Sequence, residues 1–101
     1  MTAPGRIACC VPFCRRTCRN DGGFAEWICG KHWAAVSKTT KRRRRLADRA
    51  KARAFRRSDQ QYLEQGGLTE SQLNRALAAG ELSRALWRRC KREATERAMG
   101  I

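Results

Sequence analysis

Five of the six cysteines and the only histidine lie within the first 32 residues of this 101-residue chain. Three of the cysteines occupy the segment CCVPFC at 9–14, and Cys29 and His32 follow in WICGKHW at 27–33. A chain of this length builds only a marginal hydrophobic core, so a cross-link at one end strongly constrains how that end folds. The chemistry of these thiols is therefore the first question that the sequence poses.

The spacing of the cysteines and the histidine is typical of a tetrahedral zinc site. Three residues separate Cys10 from Cys14, and two separate Cys29 from His32. Two closely spaced pairs joined by a loop can each supply one edge of a tetrahedron. We favour Cys10 in the first pair because VPF can form the tight turn that precedes Cys14. Cys9 or Cys18 remains an alternative upstream ligand. The predicted cofactor is a structural Zn²⁺, held by Cys10, Cys14, Cys29 and His32.

Other interpretations of the cysteines are a metal-free reduced cluster, a disulfide and a redox pair. No C-x-x-C motif is present, which argues against the redox pair. No apolar run is long enough to span a bilayer, and the N-terminus lacks a signal-peptide pattern. We therefore predict a cytoplasmic protein with no membrane partner, in which thiols stay reduced and favour metal over disulfides. Cys90 is predicted to be a core residue.

The positive charge is concentrated in one segment. The formal net charge is +14, and residues 38–57 (KTTKRRRRLADRAKARAFRR) contain eleven basic residues and one acidic residue. Residues 58–101 are nearly neutral. Such an excess indicates a polyanionic partner, and nucleic acid is the commonest one.

No glycine or proline occurs between residues 31 and 65, so we predict a long helix over about 31–57 that extends as far as 64. At 100° per residue, the helix has a weak apolar face, made mostly of alanine, opposite a basic stripe. The basic stripe consists of Lys38, Arg42, Arg45, Arg49, Arg53 and Arg56. Lys41 belongs to the same predicted nucleic-acid-binding set.

The C-terminal part is predicted to form two shorter helices. TESQ at 69–72 is a capping box, with Thr69 as N-cap and Gln72 reaching back. Gly80 is expected to bend or end the first of these helices. Upstream, 24–29 is a candidate short strand. The predicted fold class is mainly α, with a zinc finger over 1–35, the long basic helix over 36–65 and a helical hairpin over 66–101 that packs on the rest.

Two resemblances bear on these predictions. A ligand pair at a helix start resembles the treble-clef zinc finger, although that finger usually has two residues, not three, within its first pair. CCVPFCRRT, EWICGKHW and the ending KREATERAMGI also resemble small zinc-binding proteins of alphaproteobacterial phages and prophages. That resemblance implies a viral context and the same four ligands. It implies no particular activity.

Catalysis is not expected. The chain has no second histidine for a catalytic metal, no H-x-E deaminase signature and no glycine-rich phosphate loop. A zinc ion with four protein ligands also has no open position for water. We predict a non-enzymatic protein that binds DNA or RNA through the basic helix. One alternative is an adaptor that binds a virion or host protein through the C-terminal leucines. A helix-turn-helix over 69–95, with Gly80 in the turn, is another.

Overall fold

A computed structural model describes residues 5–101. Its elements are, in order, strands β1 (Arg6–Ala8) and β2 (Thr17–Arg19), followed by helices α1 (Gly30–Ala34), α2 (Lys38–Gln65) and α3 (Glu70–Ala98). The structure is therefore mainly helical, as predicted, and it also contains one small sheet. No helix within residues 5–101 is both long enough and apolar enough to cross a membrane.

The chain forms two compact units. The first combines the N-terminal part up to Ser37 with Arg89–Ile101, and the second is Lys38–Arg88. Helix α3 therefore contributes its C-terminal end to the first unit and the rest to the second. The predicted finger and the predicted basic helix fall in different units.

The sheet of the first unit is an antiparallel hairpin. Ile7 pairs with Cys18, and the backbone N–H of Cys9 donates to the carbonyl of Arg16 at 2.9 Å, which extends the ladder. Segment 24–29, a candidate strand by sequence, is a loop in the structure. The Asn20 side chain orders the start of this loop, since it accepts from Phe24 N–H at 2.9 Å and donates to the Phe24 carbonyl at 2.8 Å.

The sequence predicted that the long helix begins near residue 31, but in the structure it begins at Lys38. After α1, the N–H groups of Ala35 and Val36 bond to carbonyls three residues earlier, at 3.2 and 3.1 Å, and this tight turn ends the helix. Val36 is 3% exposed. The N–H of Ser37 donates to the Glu93 carboxylate at 3.0 Å, and Ser37 occupies the position before α2 where serine is a preferred cap.

In the second unit, α2 and the first part of α3 form an antiparallel pair. The Ser83 hydroxyl donates to the Asp48 carboxylate at 2.7 Å, and the Arg44 guanidinium lies 4.7 Å from the centre of the Trp87 ring. In these contacting pairs the residue number rises along α2 as it falls along α3, as antiparallel packing requires. Small side chains line the seam: Ala47 and Ala76 are 4% and 7% exposed.

The loop between α2 and α3 follows the capping rules read from the sequence. Gly66 adopts φ +74° and its N–H donates to the Tyr62 carbonyl at 2.8 Å, which closes the last turn of α2. The capping box is confirmed, because Gln72 N–H donates to Thr69 Oγ1 at 3.2 Å and Thr69 N–H donates to Gln72 Oε1 at 2.9 Å.

The prediction of two C-terminal helices is wrong, because α3 continues through Gly80 without a break. Gly80 is buried beside Phe55, and a Cβ placed on it would lie 3.6 Å from the ring. The glycine therefore sits in the helix seam and makes no turn. The same continuity removes the helix-turn-helix alternative, which required a turn at that residue.

Candidate metal centre and nucleic-acid interface

Four side chains of the first unit converge on one point. The sulfurs of Cys9, Cys14 and Cys29 and a ring nitrogen of His32 all lie within 4.8 Å of one another. The hairpin contributes the first two residues. Cys29 immediately precedes α1, and His32 lies in its first turn. The cluster therefore joins the hairpin to the start of a helix.

Three of the distances between these atoms are close to the edges of a tetrahedral metal site. Zinc–sulfur bonds of ~2.3 Å and zinc–nitrogen bonds of ~2.05 Å require ~3.8 Å between two sulfurs and ~3.6 Å between sulfur and nitrogen. The Cys14 and Cys29 sulfurs are 3.9 Å apart. His32 Nδ1 lies 3.7 Å from the Cys9 sulfur and 3.2 Å from the Cys29 sulfur. No cysteine forms a disulfide. The cluster could hold a metal ion as a closed set of three sulfurs and one nitrogen.

The turn between the two hairpin ligands is a type II turn. Cys14 N–H donates to the Val11 carbonyl at 3.2 Å, Pro12 fixes a negative φ at the second position, and Phe13 has φ +66° at the third. The sequence VPF was predicted to form this tight turn. The turn brings the Cys14 sulfur back toward the end of β1.

The structure places Cys9, and not the predicted Cys10, in the cluster. Neighbouring residues of an extended segment point to opposite sides. Cys9 is buried, and its sulfur accepts the Cys29 N–H at 3.3 Å. Cys10 is half-buried and lies outside the cluster, and its N–H donates to the Trp27 carbonyl at 2.8 Å. Cys14, Cys29 and His32 are where the metal prediction needed them. Cys18 is outside the cluster, and Cys90 is fully buried, as a core residue should be.

The cysteines of the hairpin and of the helix start differ electrostatically. Burial raises the pKa of the Cys9 thiol, and it does the same for the pKa of Cys10, where the Lys91 ammonium acts in the opposite direction. Burial also acts to raise the pKa of Cys29, but the N–H groups of His32 and Lys31 and the neighbouring thiols lower it below the ordinary value. The lowered pKa favours the thiolate form of Cys29, which is the form that metals bind.

In the first unit, ion pairs and a hydrogen bond connect the segments around the cluster to the C-terminal end of α3. Lys91 forms an ion pair with Glu26, and the Glu93 carboxylate bonds to Ser37 N–H while it also pairs with Arg89 and Arg97 at 3.3 and 3.2 Å. These contacts hold the segment on either side of the cluster to the end of α3. The residues of the cluster are thus held in place by contacts outside the cluster as well as within it.

The predicted nucleic-acid residues lie along α2 in the second unit. All six residues of the basic stripe are exposed, while Lys41 is half-buried. None of the six forms an ion pair with any residue in the range 5–101. Arg42, Arg45 and Arg49 line a shallow groove with Leu46. The basic stripe is therefore an exposed surface that no acid among residues 5–101 neutralises through an ion pair.

Arg44 differs from its basic neighbours, because it belongs to the helix seam. Its guanidinium packs on Trp87, and its Nε lies 3.5 Å from the Asp48 carboxylate. Asp48, the only acid in 38–57, is thus directed to Arg44 and Ser83. The one acid of this segment stabilises the helix pair and leaves the basic stripe without a counter-charge.

Comparisons with protein families, with curated proteins and with solved structures found no match to this chain. The geometry of the cluster and of the basic stripe is therefore the basis for assigning its function.

Proposed function

We propose that this chain is a non-catalytic zinc-binding protein that binds nucleic acid through the basic stripe of α2. One observation carries the proposal of nucleic-acid binding: six exposed lysine and arginine side chains follow one face of a helix, and none has an acidic partner within residues 5–101. Like charges at this density destabilise a helix surface. A bound polyanion would relieve that repulsion and release counterions.

The metal is proposed to be Zn²⁺ with a structural role. Three thiolates and one imidazole are a common structural zinc set, and four protein ligands leave no position for a reacting water. The hairpin and α1 together bury few large apolar side chains, so metal binding is a fitting source of their stability. Reduced thiols suit the predicted cytoplasmic location. The resemblance to phage and prophage proteins supports a viral origin as part of the same proposal.

Binding to nucleic acid is tested with untagged, zinc-loaded protein freed of bound nucleic acid. Fluorescence anisotropy with a labelled DNA duplex and a labelled single-stranded RNA, each at 50 mM salt, should show saturable binding that weakens as salt rises. Absence of binding at 50 mM salt to both probes would contradict the proposal.

A second candidate function is an adaptor that docks a virion or host protein. Leu73 and Leu77 lie one turn apart on α3 and are 45% and 52% exposed, so neither is fully used by the core of the second unit. Affinity capture after nuclease treatment separates the two functions. A partner protein that persists without nucleic acid, and that Leu73→Ser with Leu77→Ser releases, would favour the adaptor.

A further inference from the structure

An aromatic side chain occupies the tip of the hairpin turn at an apparent cost to stability. Phe13 is 97% exposed and its φ is +66°, a backbone region that favours glycine. The ring gains almost nothing from burial, and the turn would be relaxed by a residue without a Cβ. Strained backbone positions concentrate at functional sites. Neither the metal cluster nor the basic stripe accounts for this ring.

Basic side chains surround the same place. An open groove beside the turn is lined by Phe13, Arg15, Arg16 and Lys31, and the cluster residues Cys14 and His32 also line it. All three basic residues are exposed and form no ion pair within the part of the chain that the structure describes. The groove thus combines an uncovered aromatic face with three unneutralised cations.

We propose that this groove binds single-stranded nucleic acid, with a base stacked on Phe13 and adjacent phosphates held by Arg15, Arg16 and Lys31. Aromatic platforms combined with basic grooves are how proteins hold single strands without sequence preference. A free base face is needed for stacking, and in a duplex the neighbouring base pairs cover it. An acidic peptide would satisfy the cations but would leave the ring unused, so charge and ring together favour a nucleic acid.

The groove lies in the first unit and the basic stripe lies in the second, so the two surfaces rest on separate observations. The turn that presents Phe13 ends at Cys14, a residue of the cluster. Metal binding therefore fixes the backbone that holds the ring. Duplex binding by the basic stripe has no such requirement.

The test measures affinities of the full zinc-loaded chain for labelled oligothymidylate and for a labelled duplex. Phe13→Gly should weaken binding of the single strand by about 5- to 160-fold, the range typical when one base–aromatic stack is removed, and leave duplex binding unchanged. The same substitution should raise Tm, because it relaxes the turn. Phe13→Trp should keep the single-strand affinity.

Phe24→Ala is the matched control, since Phe24 is also an aromatic of the first unit, is 70% exposed and lies outside the groove. It should leave both affinities unchanged. The proposal is overturned if Phe13→Gly leaves single-strand affinity unchanged, lowers duplex affinity equally, or matches Phe24→Ala. Duplex binding that depends on Arg45 and Arg49, together with single-strand binding indifferent to Phe13, would overturn this proposal alone. If the protein binds neither the single strand nor the duplex, both this proposal and the proposed function are overturned.

Discussion

Removing two charges from the basic stripe should change the salt dependence of duplex binding by a calculable amount. The six exposed residues, from Lys38 to Arg56, lie within a stretch of 19 residues, whose ends are about 27 Å apart along the helix. If each neutralises one phosphate, log K falls with log salt at a slope of about −5.4. Affinity should then drop roughly 2,000-fold between 50 and 200 mM salt.

The perturbation is the double substitution Arg45→Ala and Arg49→Ala. Both side chains are exposed and form no ion pair within the described residues, and alanine is the best helix former, so α2 should remain folded. Because four phosphates instead of six are then neutralised, the slope should become about −3.6 and the drop over the same salt range roughly 150-fold. Anisotropy titrations of a labelled duplex at four or more salt concentrations measure both slopes.

The matched control removes the same charge from α3. Arg75→Ala with Arg88→Ala replaces two exposed arginines that also form no ion pair within residues 5–101. Its slope should stay near that of the unmodified chain. Equal slopes for the two double variants would refute the assignment to the basic stripe, and a slope near zero in the unmodified chain would refute phosphate contacts altogether.

Three further substitutions test the local geometry. Cys9→Ser should weaken zinc binding by roughly 100-fold or more in a chelator competition, because it removes one of four ligands from a site worth about 10–16 kcal/mol. Cys10→Ser should leave zinc binding nearly unchanged. The reverse order of effects would restore Cys10 as the ligand. Gly80→Ala should raise the free energy of unfolding, measured in urea, by about 0.5–1 kcal/mol, because alanine has the higher helix propensity and its Cβ would meet Phe55 at an ordinary 3.6 Å. A lower urea midpoint than that of the unmodified chain would mean that the seam cannot take a methyl group. Phe13→Gly should likewise stabilise the chain by about 0.5–1 kcal/mol, the cost of positive φ less the entropy of glycine, and destabilisation would show that the turn is not strained.

Local chemistry explains which features the sequence could predict. The capping box over 69–72 depends only on two side chains and their own backbone, so it formed as expected. The basic stripe followed from the helical period, and all six of its residues are exposed, whereas Lys41 of the same predicted binding set is half-buried. Three of four members of the metal cluster followed from short ligand spacing. In each case the signal lay within a few residues of the chain: a capping box, a helical period, or the spacing inside one ligand pair.

The failures arose where partners distant in sequence decide the outcome. The choice between Cys9 and Cys10 depends on the register of β1 with β2, which a three-residue strand does not reveal. The alternation of side chains along an extended segment was one available signal, because it places Cys9 on the same face as the apolar Ile7 and so favours Cys9 over Cys10 as the buried residue. The residue before α2, Ser37, bonds to Glu93, more than 50 residues away, and Gly80 lies in α3 beside Phe55, 25 residues earlier in the chain.

Counting metal ions in the native protein tests the central claim most directly. Native mass spectrometry of the untagged 11.5 kDa chain should show one zinc ion per molecule, and the ion should be absent after acid denaturation. Removal of the ion with a chelator should also unfold the hairpin and α1, seen as loss of their amide protection from hydrogen exchange. A metal-free native mass, with that protection intact, would contradict the account.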